Sequence, residues 1–76
     1  MDKYEFNIKV EQIKKLVNKG DFETAMKIAD TIDWRRVRNA NLLAMISQVY
    51  EKNGEYSEAT EVLLLAFERA PIGKRL

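Results

Sequence analysis

Apolar residues recur every three or four positions along most of this chain, and that spacing marks one face of an α-helix. In the first segment these positions are Phe6, Val10, Ile13 and Val17. Charged residues such as Lys14 fall on the opposite face. The pattern therefore predicts a first helix that closes at Gly20.

Three further segments have the same period. Their limits are about residues 22–32, 42–53 and 56–70, and residues 34–39 are either the first turns of the third helix or a connecting loop. Asp33 either ends the second helix or caps the next element. No segment shows the sustained apolar–polar alternation of a half-buried strand. The sequence therefore predicts an all-α fold of four helices.

Glycine and proline mark the predicted ends of these helices. Gly20 and Gly54 follow the first and third helices, where a residue with positive φ is often required. Pro71 ends the fourth helix, because the residue before a proline disfavours the helical conformation. Short connections join helices as antiparallel neighbours, so we expect two hairpins.

The sequence around Gly20 is repeated around Gly54, as KGDFETA and NGEYSEA. Phe22 aligns with Tyr56 and Ala25 with Ala59. The spacing of the two glycines matches the period of tetratricopeptide repeats, which is about 34 residues. We therefore predict one domain over residues 1–76, with repeat one at about 6–39 and repeat two at about 40–73.

The second repeat resembles the tetratricopeptide repeat family over its whole length. At the family's spacing it carries Leu43, Ile46, Ser47, Tyr50, Gly54, Tyr56, Ala59, Leu63, Ala66 and Pro71. The first repeat matches less well, since Ile13 stands where the family has a small residue and Lys9 where it has a large apolar one. The resemblance implies two hairpins stacked as a short right-handed α-solenoid. It also implies a scaffold that presents a groove to a peptide or protein partner.

Composition narrows the classes of function. The chain has 76 residues, a formal net charge of +1, no cysteine and no histidine. The near-neutral charge argues against a dedicated nucleic-acid binder, and no apolar run approaches the ~20 residues that span a bilayer. We expect a cytoplasmic protein with no membrane association. Because general acid–base catalysis most often uses histidine, we expect no enzyme, cofactor or metal site.

The segment from Asp33 to Asn39 is the first candidate partner surface, because it holds Trp34, Arg35, Arg36 and Arg38. Arginine forks bind carboxylates and phosphates bidentately, and Trp with Arg is typical of interface hot spots. In the alternative interpretation, Trp34 packs between the hairpins and the arginines pair with nearby acidic residues. The family resemblance places three further candidates, Asn41, Gln48 and Lys52, on the partner-binding face.

The fourth predicted helix carries the second candidate surface. Residues 62–67 are all apolar and cover its whole circumference, which is typical of a helix buried on several sides. Leu64 and Leu65 stand where the family usually has polar residues, and Phe67 extends the run. We therefore expect either a fragment of a longer array or self-association into a homo-oligomer through Leu64, Leu65 and Phe67. The alternative is that two compact hairpins bury the run internally.

Overall fold

A computed structural model describes residues 1–70, and these residues confirm the all-α prediction. The helices are α1 (Lys3–Asn18), α2 (Phe22–Ala29), α3 (Ala40–Lys52) and α4 (Tyr56–Arg69). A 3-10 turn, Trp34–Arg36, lies between α2 and α3. Helix α1 packs against α2 and α3 against α4, and α2 and α3 join the two hairpins. The hand of the stack stays a prediction, and Pro71 lies outside the described residues.

The two glycines close α1 and α3 in the same way. Gly20 has a φ of 79° and Gly54 a φ of 78°. At the first turn Gly20 N donates to Val17 O at 3.0 Å, and Asp21 N donates to Leu16 O at 2.9 Å. The same pair of bonds recurs at the equivalent turn of the second hairpin, from Gly54 N and Glu55 N. Both helices therefore end in a Schellman motif, which requires the left-handed conformation that glycine adopts without strain.

Helix α2 ends at Ala29, earlier than the apolar period suggests. The indole Nε1 of Trp34 donates to Ala29 O at 2.9 Å, and the Thr31 hydroxyl donates to Ile28 O at 2.7 Å. These side chains satisfy carbonyl groups that a longer helix would bond internally. Asp33 caps the 3-10 turn, since its carboxylate accepts a bond from Arg35 N at 3.2 Å.

Helix α3 is the centre of the core. Of the four largest fully buried side chains, Leu43, Ile46 and Val49 belong to α3 and only Ile13 to another helix. Ser47 allows the close approach of α4 and donates its hydroxyl to Ala59 O at 2.9 Å. Because α3 contacts both α2 and α4, its apolar face holds the two hairpins together.

The Schellman motifs give a first testable prediction. A Cβ built at Gly54 meets no atom within 4 Å, so a side chain there costs only the left-handed backbone conformation. We expect Gly54→Ala to lower the free energy of unfolding by about 1–2 kcal/mol in urea denaturation followed by circular dichroism. Gly54→Asn is the matched control and should lower the free energy of unfolding by less, because asparagine tolerates the left-handed conformation. Equal losses in the two variants would contradict the assignment.

The starts of α2 and α4 differ in one hydrogen bond. Asp21 has φ −88° and ψ 72°, and Glu55 has nearly the same values, φ −87° and ψ 69°. The Asp21 carboxylate accepts a bond from Thr24 N at 3.1 Å, and this bond lowers the pKa of Asp21 below its ordinary value. The Glu55 side chain makes no capping bond.

A reciprocal exchange tests this difference between the repeats. Glu55→Asp should raise the free energy of unfolding by about 0.5–1 kcal/mol, because the shorter side chain can then bond the backbone N–H three residues later. Asp21→Glu should destabilise the protein by removing the equivalent bond. Urea denaturation of both variants measures the effect, and a Glu55→Asp variant no more stable than the original chain would show that the two turns are not equivalent.

Candidate functional site

The most unusual sequence feature, Trp34, is buried where the two hairpins meet. Its ring is 6% exposed and meets the Phe6 ring edge-on, with centroids 6.4 Å apart and planes at 61°. Its indole N–H is already bonded to α2. Trp34 therefore packs between the hairpins, as in the alternative interpretation, and its small exposed part lines a cleft between α2 and α4.

The three neighbouring arginines do not form one cluster. Arg35 lines a cleft between α2 and α4, whereas Arg36 and Arg38 line a groove that runs between α1 and residues 31–39 and reaches α3 at Leu42. All three side chains are exposed, and within residues 1–70 none of them makes an ion pair. The expected pairing with nearby acidic residues is thus absent from the described region. Asp30 instead accepts a bond from the Tyr50 hydroxyl at 2.8 Å.

The larger concave surface is this groove, hereafter the α1–α3 groove, with a volume of about 840 Å³. Apolar side chains from both hairpins and the linker line it: Phe6, Val10, Ile32, Val37 and Leu42. Its charged side chains are Asp2, Lys3, Glu11, Lys14, Asp33, Arg36 and Arg38. The groove thus combines an apolar surface with charges of both signs.

The acidic residues of the groove are occupied by local contacts. Asp2 caps α1 by accepting a bond from Glu5 N at 2.8 Å, and Asp33 caps the 3-10 turn. Glu11 forms an ion pair with Lys14 at 3.5 Å. Lys3, Arg36 and Arg38 remain as cations that have no ion pair among residues 1–70, and the last two carry guanidinium groups. Their guanidinium groups can therefore form new bonds without breaking existing ones.

Three predicted partner-binding residues lie elsewhere. Asn41 and Gln48 are exposed on α3, and neither lines the α1–α3 groove. Lys52 places its Nζ 5.9 Å from the centroid of the Phe22 ring, a cation–π contact that joins α3 to α2. Sequence reasoning included Asn39 at the end of the candidate segment but missed its role as the cap of α3, where it accepts a bond from Leu42 N at 3.0 Å and also lines the groove. An asparagine directly before an apolar helical period was the available signal.

A second concavity, the α2–α4 cleft, has a volume of about 520 Å³. Four carboxylates line it, from Asp30, Glu55, Glu58 and Glu61, together with Arg35. Within residues 1–70, no group of three or more acidic side chains is arranged to hold a metal ion. The two concavities differ in charge: four of the five charged side chains of the cleft are acidic, whereas the groove carries charges of both signs.

The last helix carries an exposed apolar stripe, hereafter the α4 face, formed by Tyr56, Leu63, Leu64 and Phe67. These side chains are 67%, 54%, 61% and 58% exposed, respectively. Leu65 was also predicted as a self-association residue, but it is half-buried and lines the α2–α4 cleft. A step of one residue separates these environments, since the side chains of residues 64 and 65 point about 100° apart on the helix.

Comparisons with known proteins give no matching family model, no matching curated protein and no matching solved structure. Within residues 1–70, no helix is both long enough and apolar enough to cross a membrane. The tetratricopeptide assignment therefore stays a prediction from the residues of the two repeats.

The bond between Tyr50 and Asp30 predicts a specific pH dependence. Burial and this bond raise the pKa of the Tyr50 hydroxyl above its ordinary value, so folding favours the neutral phenol. The stabilisation is complete below the unfolded pKa of about 10 and is lost as the pH rises above it. Tyr50→Phe should lower the free energy of unfolding by about 1 kcal/mol at neutral pH.

Urea denaturation at a series of pH values measures this effect. The difference in the free energy of unfolding between the original chain and Tyr50→Phe should become smaller above pH ~10, because the original chain then loses the contribution of the neutral hydroxyl. Tyr56→Phe is the control, since its ring is exposed, and it should change neither stability nor pH dependence. A gap that stays constant into alkaline solution would contradict the role given to Tyr50.

Proposed function

We propose that this chain is a non-catalytic interaction module that presents the α1–α3 groove to an acidic, amphipathic segment of a partner protein. One observation carries the proposal. The groove combines an apolar lining with Arg36 and Arg38, two exposed cations that have no ion pair among residues 1–70.

The chemistry of the groove supports a partner that carries both carboxylates and apolar side chains. Phe6 is half-buried and offers apolar surface from α1, whereas Leu42 of α3 is only 8% exposed. Burial of a partner's apolar side chain against this surface is favourable. Arg36 and Arg38 can bind carboxylates through paired N–H donors. Carboxylate binding gives orientation and specificity, and apolar contact gives most of the affinity.

The position of the groove is consistent with the repeat architecture. Helices α1 and α3 are the first helices of the two hairpins, and the tetratricopeptide resemblance implies that first helices form the partner-binding face. Asn7, Val10 and Lys14 of α1 line the groove, and Leu42 is the residue of α3 that lines it. The support from the resemblance therefore comes from the first repeat. A right-handed solenoid, as that resemblance implies, is part of the proposal.

Titration of the chain with synthetic peptides tests the function. The probe is a peptide of alternating Asp and Leu, and its control has Lys in place of every Asp. We expect only the acidic peptide to bind. The fluorescence of Trp34, the single tryptophan of the chain, should report binding because its ring contacts Phe6 in the groove.

Paired arginine variants make the test specific. Arg36→Gln combined with Arg38→Gln should weaken binding by at least about tenfold, since each charged hydrogen bond contributes about 1.5–3 kcal/mol. Arg35→Gln is the matched control, because Arg35 is equally exposed but lines the opposite cleft. Equal losses from the two changes would contradict groove binding. Stronger binding of a single-stranded oligonucleotide would indicate nucleic acid instead.

The exposed α4 face supports a second function, self-assembly. Leu63, Leu64 and Phe67 are each more than half exposed and adjacent on one helix. Contiguous exposed apolar patches of this kind mark interaction sites. The solution mass of the chain as a function of its concentration measures this function.

A further inference from the structure

The large apolar side chains that are exposed within residues 1–70 belong to the two ends of the helix order. Tyr4 and Ile8 are exposed on α1, with Met1 just before it, and the others form the α4 face. Helices α2 and α3 expose none in this way. The chain therefore has two separate apolar surfaces, one on its first helix and one on its last.

The internal repeat relates these two surfaces. The offset that places Gly20 on Gly54 also aligns α1 with α3 and α2 with α4. Within the chain, α3 lies over α2, where Asn53 Nδ2 donates to Phe22 O at 2.9 Å. The residue aligned with Phe22 is Tyr56, which is exposed on the α4 face. The α4 face thus corresponds to the side of α2 that α3 covers.

We propose that copies of this chain associate head to tail, with α1 of a second copy lying over α4 as α3 lies over α2. This inference rests on the self-assembly proposed for the α4 face and does not depend on the function proposed for the α1–α3 groove. It commits the α4 face to one occupant, the surface around Tyr4 and Ile8 of another copy.

Charge complementarity supports this occupant. The bond from Asn53, just past the end of α3, to Phe22, at the start of α2, sets the end of one helix against the start of the other. In the same arrangement the end of α1 of a second copy, with Lys15 and Lys19, lies near the start of α4, with Glu55 and Glu58. These four side chains are exposed and make no ion pair within residues 1–70.

Apolar complementarity follows from the same alignment. The start of α1, with Tyr4 and Ile8, then lies at the end of α4, where Phe67 is exposed, and the contact of Tyr50 with Asp30 places Leu64 beside Leu16. Lysines meet glutamates at one end of the interface, and apolar side chains meet at the other. The reverse, parallel alignment would place Lys15 and Lys19 on apolar side chains.

The contact between copies is more polar than the contact within the chain. Gln12 and Lys15 align with Ile46 and Val49, which α3 buries completely. We therefore expect reversible association that depends on concentration and weakens with salt. Because each copy contributes a different face, the contact is heterologous and can continue into rings or open chains.

Light scattering from micromolar to near-millimolar concentration tests the proposal with two variants. The α4-face variant carries Leu64→Glu and Phe67→Glu, and the α1-face variant carries Tyr4→Glu and Ile8→Glu. The original chain should grow in mass with concentration, whereas each variant alone should stay monomeric. An equimolar mixture should form a dimer and nothing larger, because the mixture retains one intact face of each kind.

Three outcomes would overturn the proposal. A monomeric original chain at every concentration would show that the two faces do not associate. Self-association of the α1-face variant would show that α4 pairs with α4. Monomers in the mixture, with circular dichroism showing both variants folded, would show that the faces do not meet.

A charge exchange tests the alignment without changing apolar residues. Lys15→Glu with Lys19→Glu should raise the dissociation constant about three- to tenfold, which is the range expected for two exposed ion pairs. Mixing this variant with a Glu55→Lys, Glu58→Lys variant should restore association. Failure of the mixture to recover would overturn the antiparallel alignment.

Discussion

The stacking of the two hairpins depends on the linker between α2 and α3, which every helix holds by a hydrogen bond. One such bond from each helix is Lys9 Nζ to Thr31 Oγ1, Trp34 Nε1 to Ala29 O, Tyr50 Oη to Asp30 Oδ1, and Arg69 Nη2 to Arg35 O. Trp34 lies at the centre of this set, and its buried ring fixes the direction of the linker. A chain of this size has little surplus core, so these specific bonds do much to orient the hairpins.

The buried position of Trp34 also places the neighbouring arginines on two different surfaces of the molecule. In a 3-10 turn successive side chains point about 120° apart. With Trp34 directed into the core, Arg35 and Arg36 point to opposite surfaces, one toward the α2–α4 cleft and the other toward the α1–α3 groove. A run of basic residues that looks continuous in sequence thus serves two surfaces. The same turn carries Val37 into the core, so the groove acquires an apolar wall beside its cations.

Local signals predicted the helices well and the surfaces less well. Apolar spacing and the two glycines located α1, α3 and α4, because backbone conformation at Gly20 and Gly54 is decided within a few residues. The end of α2 escaped prediction, because the carbonyl groups of Ile28 and Ala29 accept bonds from Thr31, Ile32 and Trp34, which all follow the helix. The sequence also did not predict that Leu64 is exposed while Leu65 is half-buried. An entirely apolar run has no period that shows which side of the helix faces solvent. The residues that line the groove could not be predicted from the sequence, because the path of the linker decides that Arg36, Val37 and Arg38 lie there.

The repeat makes the two proposed functions structurally compatible. If α1 of a second copy lies over α4, it also lies beside α3, because α3 and α4 form one hairpin. A groove between α3 and that second α1 would then continue the α1–α3 groove, and assembly would multiply the surface offered to a partner. The polar residues Gln12 and Lys15 limit this process, since they replace the apolar pair that seals the equivalent contact inside the chain. The sequence thus favours a reversible stack over a permanent one.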